Sequence, residues 1–321
     1  MRAIIAGTGG YLPERVLGND QLAAEYGLDT SDEWIRGRTG IRQRHLAARG
    51  ETASSMGAAA ARQALEQAGI AVDEVDAIIV ATTTPDSAFP STAARVQAAI
   101  GARPGLAFDL SAACTGFIYA LGMAESLMRS GAARCVLVIG TEIYSRIVDW
   151  TDRSTCVLFG DGAGAVVLRA SDEEQERGLL SWHLHADGRH ADILQVEGGA
   201  GSTGGAGLLR MSGREVFRHA VSKLAAVVDQ ALQANALDRS AVNWLVPHQA
   251  NLRIIDAMGR KLGLPPERVV VTVDRHANTS AASIPLALAE AARDGRIKQG
   301  DLVLMEAIGG GLTWGAALAR F

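Results

Sequence analysis

Cysteine is scarce in this chain: three residues in 321, Cys114, Cys135 and Cys156. A sparse, odd set builds no disulfide framework and suits a reducing compartment. There is no basic excess either, since 31 Lys and Arg stand against 35 Asp and Glu, a formal net charge of −4. A nucleic-acid binder ordinarily shows a strong positive balance, so that class is set aside. No apolar stretch approaches the ~18 residues that a membrane span needs. The opening run, Met1 to Gly7, is too short and too weakly charged to read as a secretory signal. The expectation is a cytoplasmic protein with neither nucleic-acid nor membrane partners. Two phosphate-binding signatures are also missing. Gly7-Thr-Gly9-Gly10 follows a strand-like run but lacks the third glycine and opens no helix, so it is no dinucleotide fingerprint. No glycine-rich segment ends in Gly-Lys-Ser/Thr, which excludes a P-loop.

What is present is an apolar fraction of 48% and an unusual number of glycines, 36 against 8 prolines. That content supports a sizeable core, and the length fits about two domains or one large one. Short apolar runs alternate with Ala-rich segments of helical period. Strands are expected at Arg2–Ala6, Val75–Thr82, Leu106–Asp109, Cys135–Gly140, Cys156–Phe159 and Ala163–Leu168. In the second half they fall at Asn243–Val246, Val269–Val273, Leu302–Ala307 and Thr313–Leu318. Helices are expected at Thr52–Ala68, Ser91–Ile100, Thr115–Arg129, Glu215–Ala234, Asn251–Leu262 and Ser280–Asp294. In the fourth of these, Val216, Phe217, Ala220, Leu224 and Val227 form a stripe predicted to be buried. Alternation of this kind is an α/β pattern with a mixed, largely buried sheet.

Two stretches read as copies of one unit. Phe108-Asp109 through Cys114, a helix, Ser130-Gly131 and the run from Cys135 are answered by Val273-Asp274 through Asn278, a helix, Asp294-Gly295 and the run from Leu302. The offset is about 165 residues, which suggests a duplicated half. Cys114 and Asn278 then become counterparts, each near the start of a helix that follows a strand. Gly198 to Gly207 holds six glycines in ten residues and is expected to be a mobile loop.

Small residues flank Cys114 in Ser111-Ala-Ala-Cys-Thr-Gly-Phe117. A thiol at a helix start feels the positive end of the helix dipole, which favours thiolate. A buried structural cysteine fits the same pattern, and both readings stay open on the residues alone. Cys135 and Cys156 lie inside apolar runs and are expected to pack. His248 stands where a strand gives way to a helix, the edge of an α/β sheet at which ligands usually bind; it also fits a capped core histidine. Asn278 fits a helix N-cap as well as a hydrogen-bond donor to a ligand. One thiol, one imidazole and one amide at such junctions suit a nucleophile with donors to a carbonyl. Gly309-Gly-Gly311, between two strand-like runs, could aim backbone N–H groups at an oxyanion. His183 and His185 share one face of a strand near Asp187 and Asp192, a weaker pattern for a divalent metal and a hydrolase.

Taken together these residues resemble the β-ketoacyl-acyl carrier protein synthase III family. The resemblance covers essentially the whole chain. It rests on Asp32-Glu-Trp-Ile-Arg-Gly-Arg-Thr-Gly-Ile41, Ala112-Ala-Cys-Thr-Gly-Phe117, Phe159-Gly-Asp-Gly-Ala-Gly164, Val246-Pro-His-Gln-Ala-Asn251, Asn278-Thr-Ser-Ala-Ala-Ser283 and Gly309-Gly-Gly311. It implies a thiolase-like α/β fold of five layers, αβαβα, built from two similar halves, residues 1–172 and 173–321, and a homodimer. Cys114 would take an acyl group from a coenzyme A thioester, acetyl-CoA foremost. Decarboxylative condensation with malonyl-acyl carrier protein would follow, starting fatty-acid synthesis without cofactor or metal. His248 and Asn278 would hold the thioester oxygen, and the backbone of Cys114 and Gly310 the oxyanion. The resemblance also implies coenzyme A contacts from Trp34, Arg38, Arg153 and Asn251, with Trp34 and Arg153 sandwiching the adenine. Phe89 and Phe159 would shape acyl pockets, Phe89 that of the partner subunit.

Arg253 with Arg260, and Arg214 with Arg218, lie on single helix faces. A solvated face with Asp256 pairing the first two explains them as well as docking does; the resemblance favours docking of the acidic carrier protein at Arg253 and Arg218. Three residues depart from the family's common pattern: Ala277 in place of Gly, Ile308 in place of an aromatic, and Leu312 in place of Phe. They leave open the acyl chain, and a secondary-metabolism acyltransferase of the same fold.

Overall fold

The computed structural model describes residues 1–171 and 177–321. The first half runs β1 (Arg2–Tyr11), β2 (Arg15–Gly18), α1 (Asn19–Tyr26), α2 (Asp32–Thr39), β3 (Gln43–Leu46), α3 (Ala53–Ala68) and β4 (Ala77–Ala81), then α4 (Thr92–Ile100), β5 (Leu106–Leu110), α5 (Gly116–Arg129), β6 (Cys135–Ile143) and β7 (Asp161–Ser171). The second runs β8 (Gly178–Ala186), β9 (Leu194–Gly199), β10 (Gly205–Met211), α6 (Gly213–Ala234), β11 (Trp244–Pro247) and α7 (Leu252–Leu262), then α8 (Val273–His276), α9 (Ser283–Arg293), β12 (Leu302–Gly309) and β13 (Thr313–Arg320).

One sheet has the order β1-β7-β6-β4-β5, the other β11-β12-β13-β8. Their senses match as well as their order. β4 pairs β6 in parallel as β11 pairs β12, and β6–β7–β1 are antiparallel as are β12–β13–β8. The counterpart of β5 has shrunk to one parallel bridge, Val269 to Leu245. The division placed at 172/173 falls at residues outside those described.

Three apolar clusters set the layers. Ala-rich faces of α3 and α4 cover the outer side of the first sheet, while α5 and α9 fill the space between sheets. α6 and α7 cover the outer side of the second. This is the five-layered α/β arrangement. Small residues permit the close approach: a Cβ on Gly9 of β1 would lie 2.2 Å from the Ala60 carbonyl oxygen of α3. Helix ends follow their residues. Thr52 caps α3 by accepting the Ser55 N–H, and Gly69 ends it in the left-handed region at φ 63°.

Several sequence expectations need correction. Cys156–Phe159 is not a strand. Cys156 and Thr155 donate their N–H groups to the Asp152 carbonyl and Leu158 to that of Thr155, so the run is a series of turns. Val269–Val273 gives way to α8 after its single bridge. The segment Gly198–Gly207, expected as a loop, is mostly hairpin, because β9 and β10 pair antiparallel through Gly199 and Gly205. Phe217, placed in the buried stripe of α6, is 43% exposed. Among the described residues no helix is long and apolar enough to cross a membrane.

Candidate active site

Cys114 sits in a short 3-10 turn, Ala113–Thr115, between β5 and α5, and Ala113 before it takes a positive φ of 46°. Two threonines lock this turn to the start of β13. Thr115 Oγ1 donates to the Thr313 carbonyl at 3.0 Å, and Thr313 Oγ1 donates to the Ala112 carbonyl at 2.8 Å. The triple-glycine turn is thereby pressed against the cysteine. The helix start predicts a thiol shifted toward thiolate, and the structure corrects this. Cys114 is only 5% exposed. Burial pushes its thiol up to about 12; a hydrogen bond from Ser280 opposes the rise and the nearby Glu142 carboxylate adds to it.

His248 follows β11 directly, and its N–H donates to the Glu306 carbonyl at 2.8 Å. Its Nδ1 meets Ser283 Oγ at 2.7 Å, and burial holds the ring down at about 3, so it is neutral at ordinary pH. Asn278 is pinned from both sides of its backbone. Its N–H donates to Leu158 O at 2.9 Å, and Gly160 N–H donates to its carbonyl at 3.0 Å. Its side-chain Oδ1 accepts the Ser280 N–H at 2.9 Å, which leaves the amide nitrogen to face the cavity. The bridge between Phe159 and Asn278 is what brings two distant motifs together.

Cys114, His248, Asn278 and Gly310 converge on one cavity of about 460 Å³. Phe159, Arg38, Asn251 and Ile308 line it too. Phe159 stacks on Tyr144 with ring centroids 4.8 Å apart. Arg44 holds the turn that carries Phe159: its buried guanidinium donates to Val157 O at 2.9 Å, to Leu17 O at 3.2 Å and to Asn19 Oδ1 at 2.9 Å.

Behind the thiol lies a carboxylate that sequence reading missed. Glu142, at the end of β6, is fully buried and accepts from Thr84 Oγ1 at 2.7 Å, Thr83 N at 3.1 Å and Ser280 Oγ at 3.1 Å. Burial raises it to about 7 against these donors. A lone acid within the mostly apolar run Cys135–Ile143 was its sequence signal. Ser280 and Ser283 lay within a quoted motif without a role. Glu306 is likewise buried; burial raises it to about 8, and its Oε2 has no partner.

At the mouth, Trp34 carries Arg38 and Arg153 on its ring, with guanidinium carbons 4.6 and 4.8 Å from the centroid. An adenine between Trp34 and Arg153 therefore requires Arg153 to withdraw. Asn251 caps α7 through Arg253 N–H and donates to the Arg38 carbonyl at 3.4 Å. Arg253 donates to the Gly37 carbonyl at 3.2 Å, and among the described residues no ion pair joins Asp256 to it. Arg218 is 72% exposed in its side chain, 3.9 Å from Glu215. Phe89 lies outside the cavity, 85% exposed. His183 and His185 gather no third ligand, since no group of three or more His, Cys, Asp or Glu suits a metal among the described residues. His185 instead meets Gln230 Oε1 at 2.8 Å and stacks on Trp314, and Asp187 is held by Arg189 at 2.8 Å.

Two family models match the chain: 3-oxoacyl-[acyl-carrier-protein] synthase III over residues 108–188, and its C-terminal region over residues 232–321. Among curated proteins, the β-ketoacyl-[acyl-carrier-protein] synthase III of Acidiphilium cryptum is 64% identical, over 100% of this chain and 99% of its own. That of Granulibacter bethesdensis is 61% identical over 99% of each. Among solved structures, 3-oxoacyl-[acyl-carrier-protein] synthase III from Aquifex aeolicus superposes with a TM-score of 0.94 at 49% identity, covering 99% of this chain and 100% of that one.

Proposed function

The chain belongs to the β-ketoacyl-acyl carrier protein synthase III family of acyl-transferring condensing enzymes, and we propose that Cys114, His248 and Asn278 carry its chemistry. The observation behind this reading is the convergence of that thiol, imidazole and amide with Gly310 on one cavity. Cys114 Sγ attacks the carbonyl of an acyl-CoA, foremost acetyl-CoA, and keeps the acyl group as a thioester while CoA leaves. The N–H groups of Cys114 and Gly310 hold the oxygen as it becomes an oxyanion. Malonyl-acyl carrier protein then enters. With the Ser283 hydroxyl donating to Nδ1, His248 carries its ring hydrogen on Nε2 and donates it, beside the Asn278 amide, to the malonyl thioester oxygen. Carbon dioxide departs, charge collects on that oxygen, and the carbanion attacks acyl-Cys114 to give β-ketoacyl-acyl carrier protein. A neutral imidazole suits this role, because a donor held at about 3 keeps no charge that the enolate would have to share.

Coenzyme A is taken up at Trp34, Arg38, Arg153 and Asn251, and the carrier protein docks on Arg253 and Arg218. Neither half-reaction as written calls on a metal or cofactor. A second copy of the chain fits the edge of β5, which exposes Leu106 (42%), Phe108 (36%) and the nearby Phe89 (85%). An unpaired apolar edge of this kind is a surface that proteins normally cover. The common strand order of the two sheets supports residues 1–172 and 173–321 as two copies of one half.

The test is direct. With labelled acetyl-CoA and longer acyl-CoAs the protein should acquire a covalent label on Cys114, which malonyl-acyl carrier protein chases into β-ketoacyl product. An unlabelled wild type, or an undiminished label on Cys114→Ala, defeats the reading.

A further inference from the structure

The side-chain amide of Asn278 fits its site in either of two orientations that are nearly equal in shape. One offers the cavity an N–H donor; the other offers a carbonyl acceptor, which would repel the thioester oxygen. The Ser280 N–H decides between them by donating to Asn278 Oδ1 at 2.9 Å. Resting on the assignment of Asn278 as a donor to the malonyl thioester, we propose that Glu142 and Ser280 anchor this amide with its donor facing the cavity. Glu142 grips the Ser280 hydroxyl, and the Ser280 N–H holds Asn278.

Ser280 does not reach this place by backbone preference. Its φ of 50° lies in the left-handed region, which a serine adopts only under constraint. The constraint comes from β6. Ser280 Oγ donates to Glu142 Oε1 at 3.1 Å. Two residues earlier on the same strand, a Cβ on Gly140 would lie 2.2 Å from the Ala281 carbonyl oxygen. The strand therefore packs against this turn and holds it at neighbouring residues. Between the Glu142 carboxylate and the Cys114 thiol, the carboxylate is the stronger acceptor for the one hydroxyl hydrogen.

Glu142 is itself fixed by the segment that follows β4. Thr84 Oγ1 donates to its Oε2 at 2.7 Å and accepts the Ile143 N–H at 2.9 Å. Thr82 Oγ1 donates to the same oxygen at 3.3 Å and accepts the Thr84 N–H at 3.1 Å. The Thr83 N–H reaches it at 3.1 Å. A carboxylate held this tightly passes its fixed position on through Ser280 to the amide. Glu142 and Ser280 are both buried and neither lines the cavity, so substrate displaces neither. Both act through Asn278 and are positioning residues. Acylation, as proposed, uses the N–H groups of Cys114 and Gly310, whereas condensation uses His248 and Asn278. Loosening the anchor should therefore slow the second half-reaction alone.

Two single-turnover rates on the whole chain test this. One is acyl-Cys114 formation from labelled acetyl-CoA. The other is β-ketoacyl product formation when malonyl-acyl carrier protein meets the pre-acylated protein. Ser280→Ala removes the hydroxyl and keeps the N–H. It should slow product formation about 10- to 100-fold, the cost of a misplaced group, and leave acylation within about threefold of wild type. Glu142→Gln has one acceptor oxygen where Ser280 and the threonines use two, and should shift the rates in the same direction. Asn278→Ala should lose about 100- to 1000-fold in product formation. Adding Ser280→Ala to it should cost nothing more, because the anchor works only through that amide. Melting curves identify any variant that fails to fold, and Ser280→Ala, which removes only one oxygen, keeps the test available. An equal loss in both half-reactions, no loss in a folded Ser280→Ala, or a full further loss on Asn278→Ala overturns the anchor. An Asn278→Ala protein that condenses at the wild-type rate overturns the assignment of Asn278 instead.

Discussion

Gly309 approaches Cys114 so closely that a Cβ on it would lie 2.5 Å from the cysteine's backbone nitrogen. That nitrogen is one of the two proposed oxyanion donors, and the neighbouring Gly310 supplies the other. The triple glycine therefore serves packing first: with a Cβ on Gly309, the turn could not bring a second N–H to the first. Gly309→Ala must push the turn or the cysteine loop aside. The acylation rate should fall about 100- to 1000-fold, the loss typical of a displaced oxyanion donor. Single-turnover acylation kinetics, with the melting temperature as control, measure it. A folded variant acylating at the wild-type rate would remove Gly310 from this role.

Ala277 carries a related constraint. Its φ of 57° with ψ of −161° lies in a region that only glycine enters freely, and the residue is fully buried directly before Asn278. Ala to Gly at a buried site ordinarily loses ~0.8 kcal/mol of methyl burial and ~0.5–1 kcal/mol of chain entropy. Relief of ~1–3 kcal/mol of backbone strain offsets both. Ala277→Gly should consequently leave stability within about 1 kcal/mol of wild type in urea titrations. A loss above about 2 kcal/mol would show that the strain is absent.

These two positions show what the sequence could and could not convey. Periodicity located α3, α5, β6 and β12, because their burial follows directly from apolar spacing. It failed at Cys156–Phe159, where four residues look like a strand but the Cys156 N–H turns back to the Asp152 carbonyl and that of Leu158 to Thr155. Cys114, His248 and Asn278 were legible because each chemistry-bearing residue sits in a distinctive local motif. Ser280 was not, and Glu142 offered only a lone acid in an apolar run, since their relationship spans 138 positions of chain. The thiol's protonation was misjudged for a similar reason. The helix start is local and visible, whereas the burial that outweighs it is made by residues from both halves.

Glu306 and Glu142 predict an unusual pH profile of stability. Burial raises both in the folded state, to about 8 and about 7, above the usual carboxylate value of 4.5. The folded protein then binds more protons than the unfolded chain between about pH 4.5 and about pH 8, so these groups lower stability as pH rises across that window. His248 and His276 act oppositely. Burial depresses each to about 3 from 6.5, so their contribution is present above about 6.5 and is lost as pH falls toward 3. Of these four groups, the carboxylates alone still titrate in the folded state between about 6.5 and 8, and toward the upper end of that interval, where the histidines are neutral in both states, wild-type stability should decline. Glu306→Gln, which removes the unpartnered charge, should flatten the decline and raise stability near pH 8. Urea midpoints measured at a series of pH values decide it; an unchanged slope in the variant would mean that Glu306 is not the group responsible.

Carrier-protein docking calls for separating two arginines that the sequence treats alike. Arg253 donates to the Gly37 carbonyl and stands next to Asn251, which reaches the Arg38 carbonyl, so it braces α2 and the mouth of the cavity, where coenzyme A is proposed to bind, as well as facing solvent. Reversing its charge would disturb both half-reactions and could not isolate docking. Arg218 has only a 3.9 Å contact with Glu215, on a side chain 72% exposed, and so contributes little to the fold. Arg218→Glu should therefore raise KM for malonyl-acyl carrier protein about tenfold, the scale of one lost interfacial charge pair placed against an acidic partner. Acylation of Cys114 by acyl-CoA should be unchanged, and the KM effect should shrink with added salt, because screening weakens exposed charges first. An equal loss in both half-reactions, or a KM effect insensitive to salt, would mean that the carrier protein docks elsewhere.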